Sequence, residues 1–386
     1  MTSNIYKLNV NGNEVRVECF GFDSAKGCGE RHVMIHLTRK SLPAQQQVAD
    51  LFSAYQMLLA TELKGYSPVF RRFFVSDAAN QSELLDAAMA REQDFVSTSI
   101  VEQPPLDGTK VALWVYLLEG VKPELLNSGL SIVRHGEYDH YWSGTTTLPK
   151  GDSREQTVEL LDNYAKALSE RGLSLENNCV RTWFFVQNVD VNYKGVVDGR
   201  NEVFDRHDLT VQTHFITSTG IGGRCAASNE LVQLNTYAVS GLQKGQLKFL
   251  YAKDFLNSTY EYGVRFERGT SVDYGDRRHV FISGTASIDE RGNVVHVGEI
   301  DRQVHRMWVN VEALLQEADC TFDDVAQMIV YLRDLADYDC VARLFEERFP
   351  SVPKVILLAP VCRPTWLVEM ECMAVKKVDN KAFPDF

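Results

Sequence analysis

The spacing of apolar residues along the chain predicts one order of helices and strands that recurs. In the middle and final thirds, apolar side chains such as Val158, Leu161 and Tyr164 recur every three or four positions, which is typical of an amphipathic helix. A β-rich segment, a second helix and two closing strands follow each such helix. The predicted helices span 156–171, 196–206, 303–318 and 338–348, and the predicted strands between them span 180–186 and 326–332.

Sequence identities support this repeat. Tyr141–Thr145 recurs as Phe281–Thr285, and the closing strand Leu231–Val239 matches Leu367–Val375 almost position for position. The first third follows the same order with weaker identity. Its predicted helices span 46–63 and 82–89, and its predicted strands span 32–37, 70–75, 95–101 and 111–118. We therefore expect an α+β protein of three tandem ββαβαββ domains, at 1–125, 126–262 and 263–386.

Composition narrows the range of functions. The chain has 386 residues and a net charge of −12, which argues against a nucleic-acid partner, because such binding draws on Lys and Arg. Apolar runs such as 355–359 are too short to span a membrane, and the N-terminus has no secretory pattern. The eight cysteines include no C-x-x-C pair and are expected to be reduced thiols. These features predict a cytoplasmic protein.

Metal-ligand patterns are weak. The nearest histidine pairs are His32/His36 and His135/His140, and no acidic or cysteine cluster accompanies them at zinc-ligand spacing. The glycine-rich stretch at Gly220 lacks the Lys-Ser/Thr pair of a phosphate loop. We expect neither a metal nor a cofactor.

Several motifs resemble one family. Phe281–Thr285, Trp308-x-Asn310-Val311, the turn at Phe322–Val325 and the strand Val368–Glu371 are similar to the Rid/YjgF superfamily, also named L-PSP endoribonuclease. The resemblance is specific over about 271–377. It implies ββαβαββ, chorismate-mutase-like domains that assemble as trimers with ligand sites between neighbours. Three fused copies would then form an intramolecular pseudo-trimer, which we expect to be a monomer or a weak dimer.

Two branches of the family are similar to parts of the chain. Rid deaminases carry an arginine soon after a proline on the penultimate strand, but here the stretch is Pro353-Lys354. Ala359–Pro364 and the following Leu367–Glu369 resemble chorismatases instead. The Tyr-Arg-x-Phe stretch of that branch corresponds to Asn201–Phe204, in which Glu202 replaces the arginine.

Arg363 and Glu369 are the candidate catalytic residues. An arginine fork matches a carboxylate, and a buried glutamate serves as an acid or base, so Arg363 would orient the substrate and Glu369 would move a proton. A plain salt bridge between them is the alternative. Glu371 shares a strand face with Glu369, so one is expected to be catalytic and the other structural. The candidate substrate-binding residues are Cys362, Ser283, Thr285, Arg268 and Gly220. Structural roles in caps, turns and packing are the alternatives for four of these residues, and a plain surface charge is the alternative for Arg268.

Comparison of the repeats predicts a single cleft that has both the candidate acid and the candidate arginine. Gln233 stands where the third unit has Glu369, and the apolar strand Val111–Trp114 stands there in the first. Cys362-Arg363 is matched with Gly222-Gly223 and Val101-Glu102. The predicted function is cofactor-free hydrolysis or elimination on a small carboxylated metabolite, deaminase-like or chorismatase-like. A non-catalytic metabolite-binding protein is the alternative, and a ribonuclease is disfavoured by the charge.

Overall fold

Three six-stranded sheets make up the fold in the computed structural model of the protein, which describes residues 1–25, 27–92 and 95–386. We call the segments that contribute strands to them the first, second and third units, at 2–119, 124–240 and 247–377. The α+β fold class is confirmed. Each unit adds one strand before the predicted ββαβαββ order, and the third sheet begins ahead of residue 263.

In the first unit the strand order is β1-β2-β3-β6-β4-β5, and only β4 and β5 pair in parallel. Two helices cover one face of this sheet. The elements are β1 Thr2–Val10, β2 Asn13–Phe22, β3 Glu30–Leu37, α1 Ala44–Ala60, β4 Tyr66–Val75, α2 Ala78–Met89, β5 Ser97–Glu102 and β6 Val111–Glu119.

The second unit repeats this plan, with the strand order β11-β10-β12-β9-β8-β7. Its first long helix begins three residues before the predicted start, because Asp152 and Glu155 form a capping box. The elements are β7 Glu124–Leu125, β8 Ser131–His135, β9 Tyr138–Thr147, α3 Ser153–Ser169, α4 Leu175–Asn178, β10 Cys179–Val186, α5 Val189–Arg206, β11 Thr217–Gly222 and β12 Val232–Ser240.

The third unit has the strand order β13-β14-β15-β18-β16-β17. Its second helix has the predicted bounds. The elements are β13 Leu247–Leu250, β14 Gly269–Asp273, β15 Arg277–Ala286, α6 Ile300–Glu317, β16 Val325–Leu332, α7 Tyr338–Arg348, β17 Lys354–Leu358 and β18 Val368–Lys377.

A buried glutamine marks the same position in all three units. Gln47, Gln156 and Gln303 lie in the first turns of α1, α3 and α6, and each is fully buried. In each unit the glutamine side-chain oxygen accepts a hydrogen bond, at 2.8–2.9 Å, from the backbone N–H of the residue just before the closing strand. These residues are Lys110, Leu231 and Leu367. Because buried backbone groups must be paired, this repeated bond fixes the start of β6, β12 and β18 against the helix. The presence of the same bond in the first unit shows that this unit has the same structural plan as the other two, although its sequence differs more.

The closing strands correspond as predicted. Ala112, Gln233 and Glu369 each lie opposite the second-to-last residue of the neighbouring strand. The Ser-Gly-Thr motifs are offset by one residue, however, because Trp142 pairs with Tyr237 whereas Phe281 pairs with the equivalent Met373. A bulge follows in both strands, and the direct superposition of Tyr141 on Phe281 is therefore wrong.

The units meet in a ring. At each junction an N–H of the penultimate strand of one unit donates to a side chain of the next: Ile100 to Thr145, Ser218 to Ser283, and Lys354 to Glu18, each at 2.9 Å. One apolar cluster draws residues from all three sheets, including Trp114, Trp183 and Phe281. This shared core supports the pseudo-trimer. No helix in the described ranges is long and apolar enough to cross a membrane.

Candidate active site

A cavity of about 350 Å³ lies between the second and third units, and we call it the 2/3 cleft. The second unit supplies one wall from α5 and β11, and the third unit supplies the other from β15, β18 and the loop before β18. The lining residues that matter here are Tyr193, Arg200, Thr219, Gly220, Arg268, Gly284, Cys362, Arg363, Trp366 and Glu369. All the residues that line it belong to these two units or to the segment joining them.

Glu369 reaches the cavity from β18, where it pairs with Ala286 on one side and Tyr331 on the other. It is only 5 % exposed. A side chain at residue 284 would place its Cβ 2.1 Å from the Glu369 Oε1 atom, so the glycine at that position makes room for the carboxyl group. Burial, assisted by the charge of Glu371, raises the pKa of Glu369 to about 8, against the opposing pull of Arg268 and Arg181. The carboxyl group is therefore protonated at neutral pH.

Glu371, two residues further along the same strand face, has a different environment. It accepts hydrogen bonds from Arg181 Nη2 at 2.9 Å and from Trp183 Nε1 at 2.8 Å, and Arg72 Nη1 lies 3.8 Å away. Arg181 also donates to the Thr219 hydroxyl at 2.5 Å, and that hydroxyl accepts the backbone N–H of Gly284 at 2.9 Å. Of the two glutamates, Glu371 makes the structural contacts and Glu369 faces the cavity.

Three arginines line the 2/3 cleft. Arg268 is 4 % exposed, and its Nη2 donates to the backbone oxygen and the side-chain oxygen of Asn257, both at 3.2 Å. Arg200 projects from the buried face of α5, and the Phe266 ring lies within 6.0 Å of the guanidinium carbons of both Arg200 and Arg268. Arg363 stacks over the Trp366 ring at 5.0 Å. Three guanidinium groups at one cavity suit a ligand that carries carboxylates.

The loop that carries Cys362 and Arg363 is fixed at both ends. The Pro360 oxygen accepts the N–H of Gly222 at 2.9 Å, across the unit boundary. Further along, Gln303 donates to the Thr365 oxygen and accepts the Leu367 N–H, both at 2.9 Å. These bonds hold the loop over the cavity, and they also hold Trp366, which is 6 % exposed.

Cys362 lies in the cavity wall as a thiol. Burial raises its pKa to about 12, the Glu369 charge adds to this, and Arg363 opposes it. A neutral thiol is a poor nucleophile, so these surroundings favour a packing or ligand-lining role.

The other predicted binding residues separate into two groups. Gly220 and Arg268 line the cavity, and a Cβ on residue 220 would lie 2.9 Å from the Tyr193 ring. Ser283 and Thr285 do not line it in the described part of the chain. The Ser283 hydroxyl donates to the Glu267 oxygen at 2.6 Å, and Thr285 donates to the Ser283 oxygen at 2.9 Å. Both are buried, and Gly284 between them faces the cavity.

Two sequence correspondences are corrected by the strand registers. Gly222 lies opposite Val186, as Leu358 lies opposite Leu332, so Gly222 is equivalent to Leu358 and not to Cys362. Lys354 likewise corresponds to Ser218. Lys354 lies at a different junction, between the third and first units, so the residue that faces the 2/3 cleft from the penultimate strand is a serine.

Sequence reasoning missed Arg200, Tyr193 and Trp366. The arginine expected on this helix was sought at Glu202, but the Glu202 side chain is only half-buried and pairs with Arg154. Arg200 lies one helical turn from Val196 and Phe204 on the buried face, a spacing that would have revealed it.

The 1/2 cleft, between the first and second units, has a glutamine, Gln233, at the position of Glu369. Gln233 donates to Ser99 Oγ at 3.0 Å and to Thr145 Oγ1 at 3.3 Å. The cavity at this junction is about 380 Å³, and its arginine, Arg71, is bound by Glu92. No group of three or more His, Cys, Asp or Glu side chains suited to a metal ion occurs within 1–25, 27–92 and 95–386.

Comparisons with known proteins agree with this architecture. The Endoribonuclease L-PSP family model matches residues 271–376. A RutC family protein of Pyrococcus abyssi is 31 % identical over 100 residues, which are 25 % of this chain and 79 % of that protein. The 3-aminoacrylate deaminase RutC of Acinetobacter baylyi is 29 % identical over 97 residues, 25 % of this chain and 77 % of that protein.

A crystal structure of chorismatase matches over the length of the fold, with a TM-score of 0.63 and 20 % identity. It covers 80 % of this chain and 93 % of that one, and at this identity it shows the fold alone. The matched family segment contains Gly284 and Glu369, the two residues that meet in the third unit's wall of the cavity. The chain belongs to the Rid/YjgF superfamily, and its three-unit fold is chorismatase-like.

Proposed function

We propose that the protein is a cofactor-independent enzyme that hydrolyses a small carboxylated metabolite in which a carbon–carbon double bond is joined to oxygen or nitrogen. Glu369 is the proton donor, and Arg363, Arg268 and Arg200 bind the carboxylates. The observation that carries the proposal is one buried carboxyl group, with its pKa raised to about 8 by burial and by Glu371, in a cavity lined by three arginines.

The chemistry follows from the protonation state. Glu369 donates its proton to the carbon of the double bond that does not carry the oxygen or nitrogen. This leaves a cation on the other carbon, stabilised by the adjacent oxygen or nitrogen. Water adds to that cation and passes a proton back to the Glu369 carboxylate. The tetrahedral adduct then releases an alcohol or ammonia and leaves a keto or aldehyde group. Atoms balance with one water consumed, and Glu369 ends protonated.

Both family branches support this class of substrate. An enolpyruvyl ether is the substrate type of a chorismatase, and 3-aminoacrylate is an enamine that carries a carboxylate. The two differ in the leaving group, which is an alcohol in one case and ammonia in the other. The number of arginines favours a substrate with two carboxylates, and hence the ether.

The test is an assay panel of enolpyruvyl ethers and aminoacrylates that records released pyruvate and released ammonia. Glu369→Gln is expected to lower kcat about a thousandfold, because it keeps the shape of the side chain and removes its proton. Arg363→Ala is expected to raise KM at least tenfold, because it removes a charged contact with a carboxylate. Glu346→Gln, which changes an exposed carboxylate at another junction, is the control. Turnover that survives both site substitutions would overturn the proposal.

A non-catalytic metabolite-binding protein is the second candidate, favoured by Ser218 at the position where deaminases carry their arginine. The same panel in a thermal-shift screen separates the two. Stabilisation by carboxylated ligands without product release would favour binding alone.

A further inference from the structure

The centre of the ring, where the three sheets meet, holds a buried cluster of charges behind the 2/3 cleft. Arg72 comes from β4 of the first unit, Arg181 and Trp183 from β10 of the second, and Glu371 from β18 of the third. Each is at most 2 % exposed. Glu371 accepts one hydrogen bond on each oxygen, from Trp183 and Arg181, and Arg72 forms an ion pair at 3.8 Å.

We infer that Glu371 is a positioning residue that keeps the proton of the glutamate pair on Glu369, and that all three units contribute to this by holding Glu371 as a carboxylate. The inference rests on the proposed role of Glu369 as the proton donor. It assigns a part in the site to the first unit, although no first-unit residue in the described ranges lines the cavity.

Glu369 and Glu371 are alternate residues of β18. Alternate residues of a strand lie roughly 7 Å apart on one face, and in a buried site two carboxylates at this distance do not both ionise readily. The negative charge is therefore expected on the glutamate that has more hydrogen-bond donors and cations around it. Glu371 has two arginines and an indole N–H, so it takes the charge and Glu369 keeps the proton.

The other charged and titratable groups around Glu369 act in both directions. Arg268, from the segment before β14, and Arg181, from β10, lower its pKa, while burial and Glu371 raise it. Cys362 and Arg363 face it from the loop before β18, Arg200 faces the same cavity from α5, and Tyr331 is its neighbour on β16. Asp190 and Lys194 also line the cavity from α5, but they are paired with Arg333 and Asp198. The negative charge that acts on Glu369 is that of Glu371.

Pairing also explains why Arg181 does not ionise Glu369. Arg181 Nη2 is committed to Glu371 and to the Thr219 hydroxyl, which in turn holds Gly284 next to the Glu369 carboxyl. Removal of Glu371 would cancel a negative charge and release this cation at once. Both changes lower the pKa of Glu369.

The strand registers show that this arrangement occurs once. Glu371 corresponds to Asn235 in the second unit and to Trp114 in the first, because each lies opposite an equivalent residue of the neighbouring strand. Arg72 touches all three positions: it donates to the Asn235 side chain at 3.3 Å and lies over the Trp114 ring. Only the third-unit residue is an acid.

The test is a ¹³C NMR titration of the full-length protein labelled at the glutamate carboxyl carbon, with the signals assigned by Glu369→Gln and Glu371→Gln. In the wild type we expect the Glu369 carbon to give the signal of a protonated acid until about pH 8, under conditions where the Glu371 carbon, paired with Arg181, gives that of a carboxylate. The reverse order of the two signals would overturn the inference, and this measurement requires no variant to be active.

In Glu371→Gln the titration of Glu369 is expected to move down by at least about one pH unit, because a like charge is lost and a cation is released. Glu30→Gln is the matched control: Glu30 is also fully buried and bound to an arginine, Arg277, at 2.7 Å, but it does not line the cavity. An unchanged Glu369 titration in folded Glu371→Gln would contradict the inference. Absence of turnover in the wild type, with the titrations as expected, would instead count against the proposed function alone.

Discussion

The 2/3 cleft has a counterpart at the junction between the third and first units, which we call the 3/1 cleft. The two clefts share equivalent backbone positions, but different charged residues occupy these positions. The strand registers place Glu18 of the 3/1 cleft where the 2/3 cleft has Arg268, Lys354 where it has Ser218, and Ala112 where it has Glu369. In the 3/1 cleft the acid, Glu18, therefore occupies the position that an arginine has in the 2/3 cleft. The cation Lys354 faces it from the penultimate strand of the third unit.

The consequence is that the charges of the 3/1 cleft neutralise one another. Lys354 donates its N–H to Glu18 at 2.9 Å, and its Nζ lies 3.2 Å from Glu346. Burial disfavours the ionised form of Glu18, but His36 and Lys354 outweigh it and lower the pKa to about 2. Its cavity is about 230 Å³, against about 350 Å³ for the 2/3 cleft. Ionic pairing therefore joins two units at one junction, and a protonated acid among arginines equips the other for a ligand.

Among the tests that compare the two clefts, the largest effect is expected from Gly284→Ala. Because the new Cβ would lie 2.1 Å from Glu369 Oε1, the carboxyl group must shift, and we expect kcat to fall about a hundredfold. Steady-state kinetics on folded protein measure this. In the double variant with Glu369→Gln the two losses should not add, and an alanine variant with wild-type kcat would show that the close contact is unimportant.

Substrate binding should distinguish the two clefts. Arg200→Met is expected to raise KM at least tenfold, because it removes a charge-assisted contact with a carboxylate. Lys354→Met, in the other cleft, should leave KM within twofold and lower the thermal unfolding midpoint instead, because Glu18 and Glu346 lose the ammonium group. The backbone N–H of residue 354 still donates to Glu18 in this variant. Equal changes of KM in both variants would mean that the 3/1 cleft also binds substrate.

The pH profile should follow Glu369. Since the acid form donates the proton and its pKa is about 8, kcat should be level at neutral pH and fall about tenfold per unit above pH 8. Rates measured from pH 6 to 10 give the midpoint. His36 at the 3/1 cleft has a pKa of about 9, because Asp107 and Glu18 outweigh its burial, so His36→Gln should leave the midpoint unchanged. A rate that rises through pH 8 would assign Glu369 as a base.

The smallest effect is expected from Gln233→Glu, which places a carboxyl group in the 1/2 cleft at the position of Glu369. Turnover per chain should stay within twofold of the wild type, because Arg71 in this cleft is already bound by Glu92. Active-site titration with a tight-binding inhibitor counts the sites. A second functional site per chain would show that the acid alone defines the chemistry.

Most of the fold could be predicted from the sequence, because helices and strands follow from apolar spacing within one unit. The closing strand at Glu369 and the helix at 338–348 are examples, and the identities between units set their correspondence. Two of the three extra edge strands were missed because β7 and β13 are two and four residues long, too short to show a period. The third, β1, has nine residues, and the alternation of Tyr6, Leu8 and Val10 with polar residues would have revealed it.

The site was predictable only on one side. The third unit contains four of the predicted residues that line the cavity, namely Arg268, Cys362, Arg363 and Glu369. Arg200 and Tyr193, by contrast, reach the cavity from the second unit. Such contacts depend on how the sheets assemble, which no local pattern encodes. Ser283 and Thr285, the predicted substrate-binding residues on either side of Gly284, do not line the cavity in the described part of the chain, where the strand bulges after Ile282 and Gly284 faces the cavity.

Glu371 illustrates what covalent fusion permits. In a ring of three identical chains, any residue at this central position would appear three times, and three buried carboxylates would face one another there at a prohibitive cost in repulsion. A single gene that encodes all three copies removes this constraint, since tryptophan, asparagine and glutamate can occupy Trp114, Asn235 and Glu371 independently. Duplication thus gives evolution access to asymmetric electrostatics that a homotrimer cannot reach.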